Sequence, residues 1–113
     1  MVNKKKLSPI HPGEILKEEF MLPYGLSANQ LALKLHVPPG RVTSIVNGTR
    51  GITADTALRL AKCFRNSPEF WMNLQSQYDL QWAQATVSEL INKQVRPIED
   101  QRFELQQQSA KLK

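Results

Sequence analysis

The feature that most constrains the fold of this chain is a pair of short helical patterns within residues 27–48, separated by two prolines. The first pattern opens on Ser27, with Gln30 three residues later. This spacing is typical of a capping box, in which each side chain accepts a hydrogen bond from the backbone N–H of the other residue. Leu31, Ala32 and Leu35 follow at helical spacing, and they predict one buried face for a short first helix.

The second pattern begins at Pro39, which suits the first position of a helix because its missing N–H would have no partner there. Val42, Ile45 and Val46 predict a buried face, and Gly48 can end the helix at a positive φ. The outward face holds small or polar residues: Gly40, Arg41, Thr43, Ser44 and Asn47. Two short helices, a tight turn and a polar outer face form the layout of a helix-turn-helix, whose second helix enters the major groove of DNA.

Positive charge is concentrated on the same part of the chain. The net charge of the whole chain is +5, and the stretch from Ser27 to Asn66 has six Lys and Arg residues against one carboxylate, Asp55. The six cations are Lys34, Arg41, Arg50, Arg59, Lys62 and Arg65. A basic surface around a helix-turn-helix favours the phosphate backbone of DNA as partner. The alternative is a basic surface that only faces solvent.

The pattern of the whole chain predicts an all-α fold, with a five-helix, helix-turn-helix DNA-binding domain over residues 11–83. Residues 1–10 are predicted to be a flexible basic arm, whose lysines either follow a phosphate backbone or are only disordered. Residues 84–113 are predicted to be a C-terminal helix or a mobile tail. A weak helical pattern there ends at Pro97, and a polar, Gln-rich stretch follows.

The last two helices of the predicted domain carry much of the apolar surface. In the fourth helix the predicted core stripe is Ala54, Ala57, Leu58, Ala61 and Phe64. In the fifth helix, Phe70, Trp71 and Leu74 are predicted to point mostly inward. Tyr78 and Trp82 exceed what a core of this size needs, and exposed aromatic patches mark interfaces, so we expect both at a dimer contact.

The sequence carries no pattern typical of an enzyme or a metalloprotein. His11 and His36 have no Cys or carboxylate at ligand spacing, and Cys63 is typical of a small structural residue in a helix. We therefore expect no enzymatic activity, no metal and no cofactor. A single cysteine, the lack of an apolar run of about 18 residues and the lack of an export signal predict a cytoplasmic protein with no membrane association.

Four blocks of the sequence carry a resemblance to a known family. They are His-Pro-Gly-Glu-Ile-Leu at 11–16, Gly-Leu-Ser at 25–27, the run from Ile45 to Ala61, and Ser-Pro-Glu-Phe-Trp-Met-Asn-Leu-Gln at 67–75 with Tyr-Asp-Leu at 78–80. Together they resemble the HigA antitoxin family, also known as virulence-associated protein I. This family belongs to the wider Xre, or phage-repressor-like, helix-turn-helix group.

This resemblance implies a five-helix, phage-repressor-like domain that forms a homodimer through its C-terminal helices. It also implies two partners. One is double-stranded operator DNA, a palindrome upstream of the chain's own toxin–antitoxin operon, which the dimer would repress. The other is a HigB-type toxin, a RelE-like mRNA endonuclease that acts at the ribosome.

The candidate sites follow from the helix-turn-helix layout. Base contacts are expected from the second helix: Arg41, Thr43 and Ser44. Phosphate contacts are expected around it: Ser27, Asn47 and Arg50. Many members of the wider group carry Gln after the Ser that starts the first helix of the pair. Here that position is Ala28, and the second helix starts with Pro39-Gly40. Because these residues offer no side-chain donor, we expect Arg41 to carry more of the discrimination between base pairs.

A toxin contact is expected on the first helix, where Glu14, Glu18 and Glu19 form an acidic face that suits a basic, ribosome-directed partner. Two alternatives remain open at this point. One is a stand-alone helix-turn-helix transcriptional regulator without a toxin, which a neighbouring RelE-like reading frame would distinguish. The other is a protein-interaction module with weak DNA binding, which the Ala28 and Pro39-Gly40 departures and the aromatic fifth helix favour.

Overall fold

The computed structural model describes residues 8–99, and within them it contains five helices and no strand. The first helix, α1, is an α-helix over Pro12–Ile15 that continues as a π-helix over Leu16–Met21. The others are α2 (Ala28–Leu35), α3 (Pro39–Val46), α4 (Ala54–Phe64) and α5 (Pro68–Gln94). The predicted all-α, five-helix fold is therefore confirmed. The predicted arm, apart from residues 8–10, and the tail from residue 100 lie outside the described residues.

The helices begin where the sequence places capping residues. Ser27 and Gln30 form the predicted capping box, with N···O distances of 3.1 Å to Ser27 Oγ and 2.8 Å to Gln30 Oε1. The Oγ of Ser67 accepts a hydrogen bond of 3.0 Å from the N–H of Phe70 in the first turn of α5. These side chains satisfy backbone donors that have no partner inside the helix, and they fix where α2 and α5 start.

The helices end in two different ways. Gly48 has φ +81° just after α3, as its sequence position predicts, and it turns the chain toward α4. The C-caps of α2 and α4 are instead His36, with φ 57°, and Arg65, with φ 59°. A left-handed conformation costs a residue with a Cβ about 1–2 kcal/mol. The surrounding contacts must therefore hold these two turns in place.

The core lies where the helices meet, and Trp71 is its largest fully buried side chain. The indole ring of Trp71 packs against the rings of Phe20 and Phe70, with centroid distances of 4.8 and 5.0 Å. Its Nε1 donates a 2.9 Å hydrogen bond to Oδ1 of Asn66. The other large side chains that are fully buried come from each of the first four helices: Pro12, Leu16, Leu31, Val42, Ile45 and Leu60.

The predicted core stripe of α4 was wrong at two positions. Ala54 and Leu58 are exposed, whereas Leu60 is fully buried. Leu60 belongs to a second stripe at helical spacing that also contains Ala57. Packing against the other helices buries this second stripe. Phe70 was also expected to point mostly inward, but it lies at the edge of the core and 37% of its surface is exposed.

Within residues 8–99, the backbone contacts define two units, with the boundary between Ala83 and Gln84. In the described part of the second unit, the chain stays helical to Gln94, three residues before Pro97. Val87, Leu90 and Ile91 are exposed there. Among residues 8–99, no helix combines the length and the apolar composition needed to cross a membrane.

Candidate nucleic-acid interface

Helix α3 has one buried face and one polar face. Val42 and Ile45 are each only 1% exposed and fix α3 on the core. Gly40, Thr43 and Asn47 lie on the opposite, exposed side. The short α2 packs against α3. This arrangement presents the polar side of α3 to solvent as one continuous ridge.

The backbone of α1 directly supports α3. Gly13, in the first turn of α1, is buried against the last turn of α3. A Cβ atom at this position would lie 1.8 Å from the carbonyl oxygen of Ile45 and 3.0 Å from the Cα of Val46. Only glycine permits so close an approach of two backbones. The position of α3 therefore depends on α1 as well as on its own apolar face.

Arg41 occupies a flank of the ridge, where it joins an ion-pair cluster. Its Nη1 donates to Oδ2 of Asp55 at 2.6 Å, and Nε of Arg59 donates to the same oxygen at 3.0 Å. The hydrogen bonds from Arg59 and Arg41 lower the pKa of Asp55 below its ordinary value. The predicted base-reading arginine is thus held by a carboxylate from α4, in the first turn of that helix.

The two hydroxyl residues of α3 have different surroundings. Thr43 is exposed, and its Oγ1 donates to the carbonyl oxygen of Pro39 at 3.2 Å. The oxygen of that hydroxyl can still accept a hydrogen bond. Ser44 is half-buried, and its carbonyl oxygen accepts from the N–H groups of Thr49 and Arg50 at 2.9 and 3.2 Å. Ser44 therefore joins the end of α3 to the loop that follows.

That loop, residues 48–52, is tied to α5 and to the start of α1. The N–H of Ile52 donates to Oε1 of Gln75 at 2.7 Å. The ring of His11 lies beside Gly48 at the start of this loop and packs edge-on against Tyr78, with centroids 4.8 Å apart. Burial lowers the pKa of His11 below its ordinary value, which favours the neutral imidazole. These contacts fix the backbone of the loop while the side chain of Arg50 stays exposed.

The sequence reasoning missed several residues that support this surface. Arg59 joins Asp55 in the ion-pair cluster, Gln75 holds the loop through Ile52, and the ring of His11 lies against the loop at Gly48. The spacing of Asp55 and Arg59, four residues apart on one helix, was a usable signal for an ion pair. The contacts of Gln75 and Arg41 join residues far apart in the chain, and no local pattern indicates them.

The remaining candidate residues lie on other surfaces of the first unit. Glu14, Glu18 and Glu19 are all exposed on α1. Tyr78 is half-buried, and Trp82 is 46% exposed with its ring 6.4 Å from that of Tyr78. Within residues 8–99, no group of three or more His, Cys, Asp or Glu residues is placed to hold a metal ion.

The fold and the exposed ridge of α3 define the class of protein: a helix-turn-helix domain of the kind that binds DNA. A family model for the helix-turn-helix matches residues 16–71. Virulence-associated protein I of Dichelobacter nodosus is 53% identical over 81 residues, which are 72% of this chain and 75% of that protein.

Two solved structures are also similar over nearly their whole length. An addiction module antidote protein of a HigA family from Coxiella burnetii is 56% identical, with a TM-score of 0.76 over 80% of this chain and 99% of that one. The antitoxin HigA of Pseudomonas aeruginosa, solved with the higBA promoter, is 45% identical, with a TM-score of 0.77 over 80% of this chain and 99% of that one. The chain belongs to the HigA antitoxin family. Proteins of this family are DNA-binding regulators and antitoxins rather than enzymes.

Proposed function

We propose that this chain is a DNA-binding antitoxin that represses its own operon and neutralises a RelE-like mRNA endonuclease toxin. The observation that carries the proposal is the exposed polar ridge of α3 beside the fixed loop of Arg50, in a chain similar to a HigA that was solved with its promoter. A rigid helix with a polar outer face fits the major groove. A loop with one exposed arginine suits a phosphate next to it.

The residue roles divide between bases and phosphates. Arg41 contacts a guanine edge, and Thr43 and Ser44 contact base edges or phosphates nearby. Ser27 caps the N-terminus of α2, where its hydroxyl and N–H form the capping box. The backbone at this end of the helix contacts a phosphate. Asn47 and Arg50 are both exposed after the last turn of α3 and contact phosphates.

The proposal includes a homodimer. Tyr78 and Trp82 lie at its contact, where the exposed part of the Trp82 ring is covered by the second copy. A two-fold dimer places two recognition helices on one face of DNA, about 34 Å or one helical turn apart. A palindromic operator with that half-site spacing is the expected target.

Replacing Arg41 and Arg50 by alanine, one at a time, is expected to affect DNA binding in different ways. Arg41→Ala should remove about 1–3 kcal/mol of discrimination at one base pair of each half-site. Arg50→Ala should weaken binding to operator and unrelated DNA alike, and should reduce the salt slope of binding by about one. Gel shifts with the DNA upstream of the chain's own gene, across a salt series, measure both effects.

Lys17→Ala is the matched control for these variants, because it removes one exposed positive charge from α1. It should leave the sequence preference and the salt slope close to those of the unaltered protein. An unchanged preference in Arg41→Ala would show that another residue reads the bases. Equal binding of the unaltered protein to operator and scrambled DNA would remove operator recognition from the proposal.

The acidic face of α1 is the proposed toxin contact. Glu14, Glu18 and Glu19 are exposed and lie outside the surface formed by α3 and its loop. A toxin that cleaves mRNA on the ribosome works next to RNA and is expected to carry positive charge. Opposite charges would then steer the two proteins together and fix their orientation.

Reversing the charge of this face is expected to weaken toxin binding. The double variant Glu18→Lys, Glu19→Lys should lower the affinity for the RelE-like toxin encoded beside the gene by about tenfold at low salt. The difference should shrink as salt rises, because exposed charges are screened. Glu89→Lys, an exposed reversal on α5, is the control. Titration calorimetry measures the affinities, and equal values for both variants would place the toxin on another surface.

A further inference from the structure

Asp55 stands out because it brings negative charge to a surface that is otherwise basic. It is the one carboxylate between Ser27 and Asn66. Its side chain is 56% exposed, yet one of its oxygens, Oδ2, accepts hydrogen bonds from both Arg41 and Arg59. A carboxylate beside the recognition helix repels DNA phosphates, so it weakens binding that depends on charge alone.

We propose that Asp55 is a specificity-determining residue, which holds Arg41 away from phosphates and releases it only to a matching base edge. This inference rests on the proposed role of Arg41 in reading DNA. On unrelated DNA, Arg41 stays paired with Asp55 and adds little to the release of counterions. On the operator, the O6 and N7 atoms of guanine offer two acceptors in place of the carboxylate.

The geometry keeps Asp55 in place while Arg41 exchanges partners. Arg59 holds Asp55 through Nε at 3.0 Å, and its Nη1 donates to the carbonyl oxygen of Leu35 at 2.9 Å. Arg59 is thereby tied to the end of α2, independently of Arg41. The carboxylate of Asp55 is charged at neutral pH, as that of an ordinary aspartate is, and the hydrogen bonds from Arg59 and Arg41 lower its pKa further. When Arg41 leaves Asp55 to contact DNA, the carboxylate therefore stays paired with Arg59.

The test is Asp55→Asn, measured on operator DNA and on a scrambled duplex of the same length across a salt series. We expect binding to the scrambled duplex to tighten several-fold, with a salt slope steeper by about 0.9 because one more cation faces phosphate. Binding to the operator should change less, so the ratio of the two affinities should fall about three- to tenfold. Asp55→Ser repeats the comparison with a different small side chain, and melting curves verify that each variant is folded.

Two further variants separate the proposed role from a general effect of charge. Glu69→Gln removes one exposed carboxylate from the first turn of α5, as Asp55→Asn does from α4, and it should leave the affinity ratio unchanged. In an Arg41→Ala background, Asp55→Asn should no longer lower the ratio. This second result is expected only if Asp55 acts through Arg41.

The outcomes also distinguish this inference from the proposed function. If Asp55→Asn leaves the ratio unchanged, or weakens operator binding without tightening binding to scrambled DNA, Asp55 does not restrain Arg41 and the inference is overturned. Operator recognition would survive either result. If the unaltered protein does not discriminate between the two duplexes, the proposed function fails first and the inference fails with it.

Discussion

Trp71→Ala is expected to destabilise the fold by about 3–5 kcal/mol. The indole is fully buried and contacts rings from three separate parts of the chain: Phe20, Phe64 and Phe70. Removing it leaves a cavity among side chains that belong to different helices. In the unaltered protein, Oδ1 of Asn66 accepts a 2.9 Å hydrogen bond from Nε1 of Trp71, and the substitution removes this donor.

Thermal unfolding followed by circular dichroism measures this effect. A loss of this size should lower the unfolding midpoint by more than about 10 °C in a domain of this length. Leu33→Ala, at a side chain that is 75% exposed on α2, should change the midpoint little. Trp71→Phe keeps a ring in the core but removes the N–H donor, so its loss should lie between those of the other two variants. A midpoint for Trp71→Ala equal to that of Leu33→Ala would contradict the central place of Trp71.

The parts of the fold that the sequence predicted are those that short segments determine by themselves. The capping box of Ser27 and Gln30, the start of α3 at Pro39 and the positive φ of Gly48 each depend on residues within a few positions of each other. Prolines and glycines restrict the backbone directly, and capping side chains bond to nearby N–H groups. Patterns of this kind need no knowledge of the rest of the molecule.

The parts that the sequence did not predict depend on contacts between distant segments. The Arg41–Asp55 pair joins residues 14 positions apart, and the Ile52–Gln75 bond joins residues 23 positions apart. The left-handed caps His36 and Arg65 contradict local preference, because glycine or asparagine is usual there. In α4 two apolar stripes were compatible with the sequence, and tertiary packing selected the one that contains Leu60. The DNA, toxin and dimer contacts stay predictions.

Gly13→Ala is expected to be as severe as the loss of Trp71, although it adds only one methyl group. Its new Cβ would meet the backbone of α3, at 1.8 Å from the carbonyl oxygen and 2.6 Å from the carbonyl carbon of Ile45. A change of rotamer cannot move a Cβ atom away from a neighbouring backbone, so α1 and α3 must separate. Overpacking costs about 1–3 kcal/mol where side chains adjust, and here we expect about 3 kcal/mol or more.

Gly40→Ala provides a control at an equivalent position of another helix. Gly13 follows Pro12 at the start of α1, and Gly40 follows Pro39 at the start of α3. Nothing lies within 4 Å of a Cβ built at Gly40, and neither glycine has a positive φ. Alanine is a better helix former than glycine by up to about 1 kcal/mol, so Gly40→Ala should leave stability unchanged or raise it. Helix propensity alone would also make Gly13→Ala neutral or stabilising. A measured destabilisation by Gly13→Ala must therefore come from the contact with α3.

Gly13→Ala also tests how α3, the proposed recognition helix, is supported. At a temperature where Gly13→Ala is still folded, we expect its operator affinity to fall, since displacing the end of α3 also displaces Ser44 and the loop of Arg50. Urea unfolding gives the stability of each variant, and gel shifts give the affinity. An unfolding midpoint for Gly13→Ala at or above that of the unaltered protein would show that α1 does not pack on α3 at this distance. The support of α3 would then come from α2 and from its own apolar face rather than from α1.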